Sequence, residues 1–218
     1  MSETYLCDQA AQEQICEIGR RLYQRGLIGG VDGNISCRVG PDAVWITPSM
    51  SCKGFLTPEM LIKTDLKGKP LQDGGGHMSS ESWMHLTIYR ENPQIHAVIH
   101  AHPAYATVLA SVGKDVPADL LAEGVYFFGD CLHIAPFAQP GTAELGDSVL
   151  PYCRSSSAAL LANHGAVSWG ADLLSALIAM ESTENYCRVY LYTRYLVGEQ
   201  AEIPPEKKAL LARLYPSI

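Results

Sequence analysis

The segment AVIHAHPAYA, residues 97–106, most constrains the fold, because two histidines end an apolar run and a proline follows them. Side chains two residues apart on a β-strand point to the same side. His100 and His102 are therefore predicted to present their imidazole rings together. Pro103 has no backbone N–H for a strand ladder, but it suits the first turn of a helix. The segment predicts a strand followed directly by a helix, with both rings at the junction.

A third histidine changes the interpretation of this pair. Two histidines at a strand end are as often structural as functional, but His164 also follows an apolar run, in LLANHGAV, and precedes a glycine that permits a tight turn. Catalytic zinc sites commonly have three protein ligands and one open position. The three histidines therefore favour a metal site. The other four histidines lack this setting and are predicted to be structural: His77, His85, His96 and His133.

The segment HMSSESWMH predicts the start of a helix. Ser79 or Ser80 is expected to cap it, with Glu81 in the first turn. The carboxylate has two interpretations at this stage. It either complements the positive end of the helix, or it is a metal ligand or general base. The free N–H groups of such a turn also suit an anion.

Two further polar turns are candidates for binding the same anion. DGNIS offers the backbone of Gly33 and the amide of Asn34, and TPSM offers the hydroxyl of Ser49. Each turn alone is more often only a turn. Neither is a Walker motif, so the sequence does not favour nucleotide binding.

Helical and strand patterns alternate irregularly along the chain, with hairpins between them and no linker or repeat. This predicts one α/β domain over residues 1–218, with a mixed sheet between helix layers. The predicted elements include a helix stopped by Gly26, two strands around Lys67–Gly68, a helix capped by Thr142, and a long helix over residues 172–197. The stretch DLLAEGVYFFGD is expected to be irregular.

Composition limits the partners and the compartment. Charged residues make up only 18% of the 218 residues, which predicts surface buried between subunits. A net charge of -7 without a basic cluster disfavours nucleic acid. The seven cysteines are scattered without a C-x-x-C pair, which predicts reduced thiols and a cytoplasmic protein. The N-terminal segment is acidic and has no apolar run, so no signal peptide is expected. The sequence has no apolar run long enough for a membrane span.

Six motifs in order resemble the class II aldolase/adducin family, most closely its L-fuculose-1-phosphate aldolase branch. They are GNIS at residue 33, ITPS at 46, SSE at 79, HAHP at 100, APFAQPGT at 135 and NHG at 163. The resemblance implies a mostly antiparallel sheet and one Zn2+ per subunit, or Mn2+ or Co2+ in its place. The implied metal ligands are Glu81, His100, His102 and His164. The implied phosphate site comprises Gly33, Asn34, Ser49, Met50, Ser79 and Ser80.

The resemblance also implies a reaction and an assembly. A ketose 1-phosphate, of the L-fuculose or deoxypentulose kind, would be cleaved to dihydroxyacetone phosphate and an aldehyde through a metal-stabilised enediolate. Glu81 would shuttle the proton. The chain would form a C4 homotetramer in which Tyr215 reaches the adjacent site as proton donor, with Tyr126 as the other candidate.

Three alternatives stay open on the same scaffold. Two are a 4-epimerase of a pentulose 5-phosphate and a methylthioribulose-1-phosphate dehydratase, for which Glu123 is either an extra acid or base or, more simply, a solvated charge. The third is a non-catalytic interaction module like the adducin head. A module of that kind has no use for an open metal position, so the four implied ligands disfavour it.

Overall fold

A seven-stranded sheet forms the centre of the computed structural model, which describes residues 5–72, 76–198 and 201–214. The helices are α1 Asp8–Gln24, α2 Ser82–Glu91, α3 Ala104–Ala110, α4 Ala122–Phe128, α5 Ala143–Val149, α6 Leu173–Leu191 and α7 Pro205–Leu214. The strands are β1 Asn34–Gly40, β2 Ala43–Ile46, β3 Ile62–Thr64, β4 Ala97–Ala101, β5 Val116–Pro117, β6 Cys131–Leu132, β7 Ile134–Ala135, β8 Ala158–Leu161 and β9 Gly165–Gly170.

The strand order of this sheet is β3-β2-β1-β4-β9-β8-β7, and β5 pairs with β6 in a separate two-stranded sheet. Only β7 and β8 pair in parallel, while the other neighbours are antiparallel. Two hydrophobic clusters cover the two faces, one including α1, α3 and α6 and the other α2 and α5. The predicted α/β class, with a mixed, mostly antiparallel sheet between helix layers, is confirmed.

Strand β4 lies in the middle of this sheet and is buried on both faces. Ala97 and Ile99 belong to the cluster with α1, α3 and α6, whereas Val98 belongs to the cluster with α2 and α5. Because side chains alternate, His100 projects to the same face as Val98, where α2 packs. Residue pairing places Asn34 of β1 directly opposite His100.

The long helix predicted over residues 172–197 is present. Asp172 caps α6 and accepts a hydrogen bond from the Ser175 backbone N–H at 2.7 Å, completing a capping box with the Ser175 side chain. After Leu191 the chain continues as one stretch of π-helix, Tyr192–Val197, which ends at Gly198 with a left-handed φ of 84°.

Several local predictions are wrong. Helix α2 begins at Ser82, with Glu81 in the capping position, and its carboxylate is turned to the histidines instead of the helix. The capping position thus lies beyond the two serines, although Ser79 Oγ still accepts a hydrogen bond from the Glu81 backbone N–H at 3.4 Å. After Thr64 the expected second strand is reduced to a single bridge with Pro70.

Two further differences lie in the second half of the chain. The stretch expected to be irregular contains α4, whose buried face includes Val125 and Phe128. Thr142 occupies the capping position of α5 as predicted, but its hydroxyl accepts no hydrogen bond from the helix and donates one to the Gln139 carbonyl.

All seven cysteines are unpaired, as the scattered spacing predicts. No helix among the described residues combines the length and the apolar character needed to cross a membrane.

Candidate metal centre

Three histidines from separate parts of the sequence meet at one edge of the sheet. His100 is the penultimate residue of β4, His102 follows that strand, and His164 immediately precedes β9, the antiparallel neighbour of β4. Their ring centroids lie 4.7–4.9 Å apart. One nitrogen from each ring lies within 4.8 Å of the other two. The sheet register therefore brings together the three residues that the sequence singled out.

Two glycines permit this close packing. A Cβ at Gly165 would lie 2.5 Å from the Ala101 carbonyl oxygen and 2.7 Å from His102 Cδ2. Gly33 has a left-handed φ of 71°, and a Cβ there would lie 2.6 Å from the His100 carbonyl oxygen. Any side chain at either position would displace the strand end that carries the histidines.

Glu81 completes the cluster from the start of α2. Its Oε1 lies 2.9 Å from His164 Nε2, and its Oε2 lies 3.4 Å from His100 Nε2. Asn34 Nδ2 donates a hydrogen bond to Glu81 Oε2 at 2.9 Å. The carboxylate is therefore directed into the histidine cluster, which is the second of the two interpretations that the sequence left open.

Burial determines the protonation of these groups. It lowers the pKa of His100 to about 3, and it also lowers the pKa of His102. Both rings are consequently neutral near pH 7 and offer lone pairs. Burial acts to raise the pKa of Glu81, but the hydrogen bonds with the His164 ring and the Asn34 amide outweigh it and lower that pKa. Glu81 is therefore ionised.

The donor set fits a divalent metal ion. His100 Nε2 and His102 Nε2 lie only 3.1 Å apart, a separation that two neutral rings tolerate with a shared proton or a cation between them. The other ring nitrogen of His100, Nδ1, lies 2.9 Å from the Ala166 carbonyl oxygen, which orients the ring. Three imidazoles and one carboxylate are a typical zinc donor set.

Three loops with polar groups lie next to this cluster. Asn34 Nδ2 also contacts Ser79 Oγ at 3.3 Å. The turn with Ser49 is joined to the segment before α2 by the Ser49 N–H bond to the His77 carbonyl and by a bridge between Pro48 and Met78. The residues implied for a phosphate site thus come from adjoining segments of the structure.

Met50 shares the left-handed backbone of Gly33 without being a glycine. It has a left-handed φ of 53°, a region that favours glycine, and its side chain is 79% exposed. Ser80 is exposed as well, so both residues can be reached from solvent.

The other candidates that the structure describes lie on other elements. Tyr215 is outside the described residues. Tyr126 and Glu123 are exposed on α4, which packs against α6 and α7. His133 pairs with Asp115 at 2.7 Å, away from the cluster.

One contact could not be read from the sequence. The motifs indicate Asn34 only as an anion donor, whereas its amide also holds the Glu81 carboxylate. Only the pairing of β1 with β4, which brings Asn34 opposite His100, reveals this second role.

The model of the Class II Aldolase and Adducin N-terminal domain family matches residues 13–191, most of the chain. The chain belongs to the class II aldolase and adducin family. This agrees with the resemblance carried by the six motifs.

Three relatives illustrate the range of reactions in this class II aldolase family. A 3-oxo-tetronate 4-phosphate decarboxylase of Haemophilus influenzae is 31% identical, over 85% of this chain and 89% of its own length. An L-fuculose phosphate aldolase of Methanocaldococcus jannaschii is 32% identical, over 83% of this chain and 95% of its own. A methylthioribulose-1-phosphate dehydratase of Gluconobacter oxydans is also 32% identical, over 80% of this chain and 88% of its own length. Membership of this class II aldolase family indicates an enzyme.

A solved L-fuculose 1-phosphate aldolase has the same fold. It superposes with a TM-score of 0.88 and 28% identity, covering 98% of this chain and 99% of that one. The two proteins therefore share the class II aldolase fold over nearly the whole of both chains.

Proposed function

We propose that this protein is a metal-dependent aldolase that cleaves a ketose 1-phosphate, of the L-fuculose or deoxypentulose kind, to dihydroxyacetone phosphate and an aldehyde. The observation that carries the proposal is the convergence of His100, His102, His164 and the Glu81 carboxylate beside loops with anion-binding groups. A chelating centre next to an anion site suits a substrate with adjacent oxygens and a phosphate.

These four side chains would hold a divalent metal, which we propose to be zinc, with manganese or cobalt as alternatives. The metal would act as a Lewis acid on the carbonyl oxygen where negative charge develops. The three imidazoles are held in fixed positions by the sheet, and the contact of His100 Nδ1 with the Ala166 carbonyl orients that ring.

Glu81 has the properties of a mobile base. It is ionised, partly buried, and held by the Asn34 amide and the His164 ring. When sugar oxygens take its place among the histidines, the carboxylate stays within reach of the substrate carbon next to the carbonyl. Glu81 then moves the proton at that carbon.

The phosphate is assigned to the loops around Asn34. Backbone and amide donors of Gly33 and Asn34, with the hydroxyls of Ser49, Ser79 and Ser80 and the backbone at Met50, would bind it. Fixing the phosphate fixes the distance from the reacting carbons to Glu81.

The proposed assembly is a C4 homotetramer in which Tyr215 reaches the adjacent site. There it accepts the proton of the hydroxyl that becomes the aldehyde oxygen during cleavage, and it donates that proton to the aldehyde oxygen in the condensation direction. Two observations support the tetramer. Charged residues are few, and the end of the π-helical stretch carries exposed apolar side chains, with Tyr195, Leu196 and Val197 each at least 69% exposed. Tyr126, exposed on α4, is the alternative donor.

A second candidate reaction is the decarboxylation of a 3-oxo acid phosphate. The similarity to the Haemophilus influenzae decarboxylase favours it. Loss of carbon dioxide from 3-oxo-tetronate 4-phosphate leaves the same enediolate of dihydroxyacetone phosphate, so an identical centre serves both reactions. Decarboxylation needs no proton donor for an aldehyde oxygen, which makes Tyr215 dispensable in that case.

Product analysis tests the proposal. The metal-loaded protein is incubated with ketose 1- and 5-phosphates and with a 3-oxo acid phosphate, and dihydroxyacetone phosphate and its co-product are measured. An aldehyde co-product supports the aldolase, and carbon dioxide supports the decarboxylase. Epimerase or dehydratase activity gives no dihydroxyacetone phosphate, and an adducin-like module turns over nothing.

A further inference from the structure

Lys53 is a buried cation that the proposed chemistry does not use. It lies in a single 3-10 turn, Lys53–Phe55, and is only 2% exposed. Its backbone is lodged against α1, since a Cβ at Gly19 would lie 2.3 Å from the Lys53 carbonyl oxygen. The start of this side chain therefore has a fixed position.

The Lys53 ammonium joins two loops. Its Nζ donates one hydrogen bond of 2.8 Å to the Val31 carbonyl and another of 2.8 Å to the Ser51 carbonyl. Val31 belongs to the glycine loop that leads into Gly33 and Asn34. Ser51 ends the turn that carries Ser49 and Met50. These two loops contribute two of the three segments of the proposed phosphate site.

Burying a lysine side chain to join two loops is unfavourable in free energy. Removing an ammonium from water is unfavourable unless its donors are satisfied, and an apolar residue of similar volume would often stabilise such a position as well or better. Burial lowers the pKa of Lys53, while the charges of Asp32, Cys52 and Glu81 oppose this shift. The two carbonyl bonds and the Asp32 carboxylate favour the charged form.

We propose that Lys53 is a positioning residue for the phosphate group of the substrate. Its ammonium holds the glycine loop and the Ser49 turn at a fixed separation, and its positive charge offsets the repulsion between the incoming phosphate and the carboxylates of Asp32 and Glu81. The inference rests on the proposed function, because it deepens the phosphate site assigned there.

The test uses ethyl phosphate, a phosphomonoester without hydroxyls that could chelate a metal. Its dissociation constant is measured by calorimetry on the metal-loaded wild type and on Lys53→Met, Lys53→Arg and Lys67→Met. Lys67 is an exposed lysine in the turn closed by Asp65, so its substitution removes the same charge at a position outside both loops. Metal content and melting temperature are recorded for each variant.

We expect Lys53→Met to raise the dissociation constant about tenfold or more while metal content is unchanged. Lys53→Arg should restore much of the affinity, and Lys67→Met should equal the wild type. A folded Lys53→Met variant that binds as the wild type does would overturn the proposal. Loss of metal together with phosphate in both Lys53 variants, or failure of both to fold, would assign Lys53 to the fold alone. The wild type is a separate test, because absence of ethyl phosphate binding there refutes the phosphate site of the proposed function itself.

Discussion

Asn34 Nδ2 and Glu81 Oε2 are joined by a hydrogen bond of 2.9 Å that links the glycine loop to the carboxylate of the histidine cluster. The same amide nitrogen also contacts Ser79 Oγ. An anion that takes this amide therefore competes with Glu81 for it. In the proposed reaction, phosphate binding and release of Glu81 from the cluster favour each other.

Substitution of Glu81 should separate metal binding from turnover. In Glu81→Gln three imidazoles remain, so we expect metal content to stay high, while turnover falls about 10²- to 10⁴-fold because the base is lost. Metal analysis and steady-state rates measure the two effects. Glu144→Gln is the control, because Glu144 is an exposed carboxylate in the first turn of α5. A near wild-type rate in Glu81→Gln would show that Glu81 has no role in catalysis and only occupies the start of its helix.

Substitutions in the phosphate loops should act mainly on KM. Asn34→Ala and Ser80→Ala are expected to raise KM for a phosphorylated substrate towards the value for the free sugar, since they remove donors to the anion. Ser111→Ala, which removes an exposed hydroxyl bonded to the Val108 carbonyl, is the control. Equal use of phosphorylated and free sugar by the wild type would contradict the anion site.

The sequence predicted the convergence of the three histidines well because strand periodicity and a glycine turn are local signals. His100, His102 and His164 each follow an apolar run, and the register of β4 with β9 brings them together as expected. The cap of α2 was not predictable in this way, because the Glu81 carboxylate is drawn to residues distant in sequence. The role of Lys53 was also not predictable, because its ammonium bonds to the backbone carbonyls of Val31 and Ser51, and a sequence motif does not reveal backbone partners.

His85 should make the metal-free protein sensitive to acid. Burial lowers its folded-state pKa to about 3, and its Nδ1 contacts Ser36 Oγ at 2.8 Å. In the unfolded chain the histidine has an ordinary pKa of about 6.5, so between about pH 6.5 and 3 it is protonated there while it stays neutral in the folded protein. The free energy of unfolding therefore falls as the pH drops from about 6.5 towards 3, by up to about 1.4 kcal/mol per pH unit for one group.

Chemical denaturation of the metal-free protein at several pH values measures this effect. The variant His85→Gln should show a shallower loss of stability in acid, because one of the buried neutral histidines is gone while His100 and His102 still contribute. Parallel curves for wild type and variant would mean that His85 takes up its proton equally in both states.

The assembly prediction concerns the tail tyrosine. Light scattering at micromolar concentration should give a tetramer, and Tyr215→Phe should lower kcat while metal content and assembly stay intact. Tyr126→Phe is the comparison variant. A monomer would remove the shared site, and an unchanged kcat in Tyr215→Phe with a loss in Tyr126→Phe would transfer the role to Tyr126.

The central claim is that the histidine cluster holds a metal that the carbon–carbon cleavage requires. The most direct test measures the release of dihydroxyacetone phosphate from a ketose 1-phosphate before chelation, after chelation and after zinc is restored. The metal content of each sample is measured, together with that of the variants His100→Ala and His164→Ala. We predict about one metal per chain in the wild type, release that stops on chelation and returns with zinc, and near-empty variants that release none. Full metal occupancy in both variants, or release that persists without metal, would contradict the account.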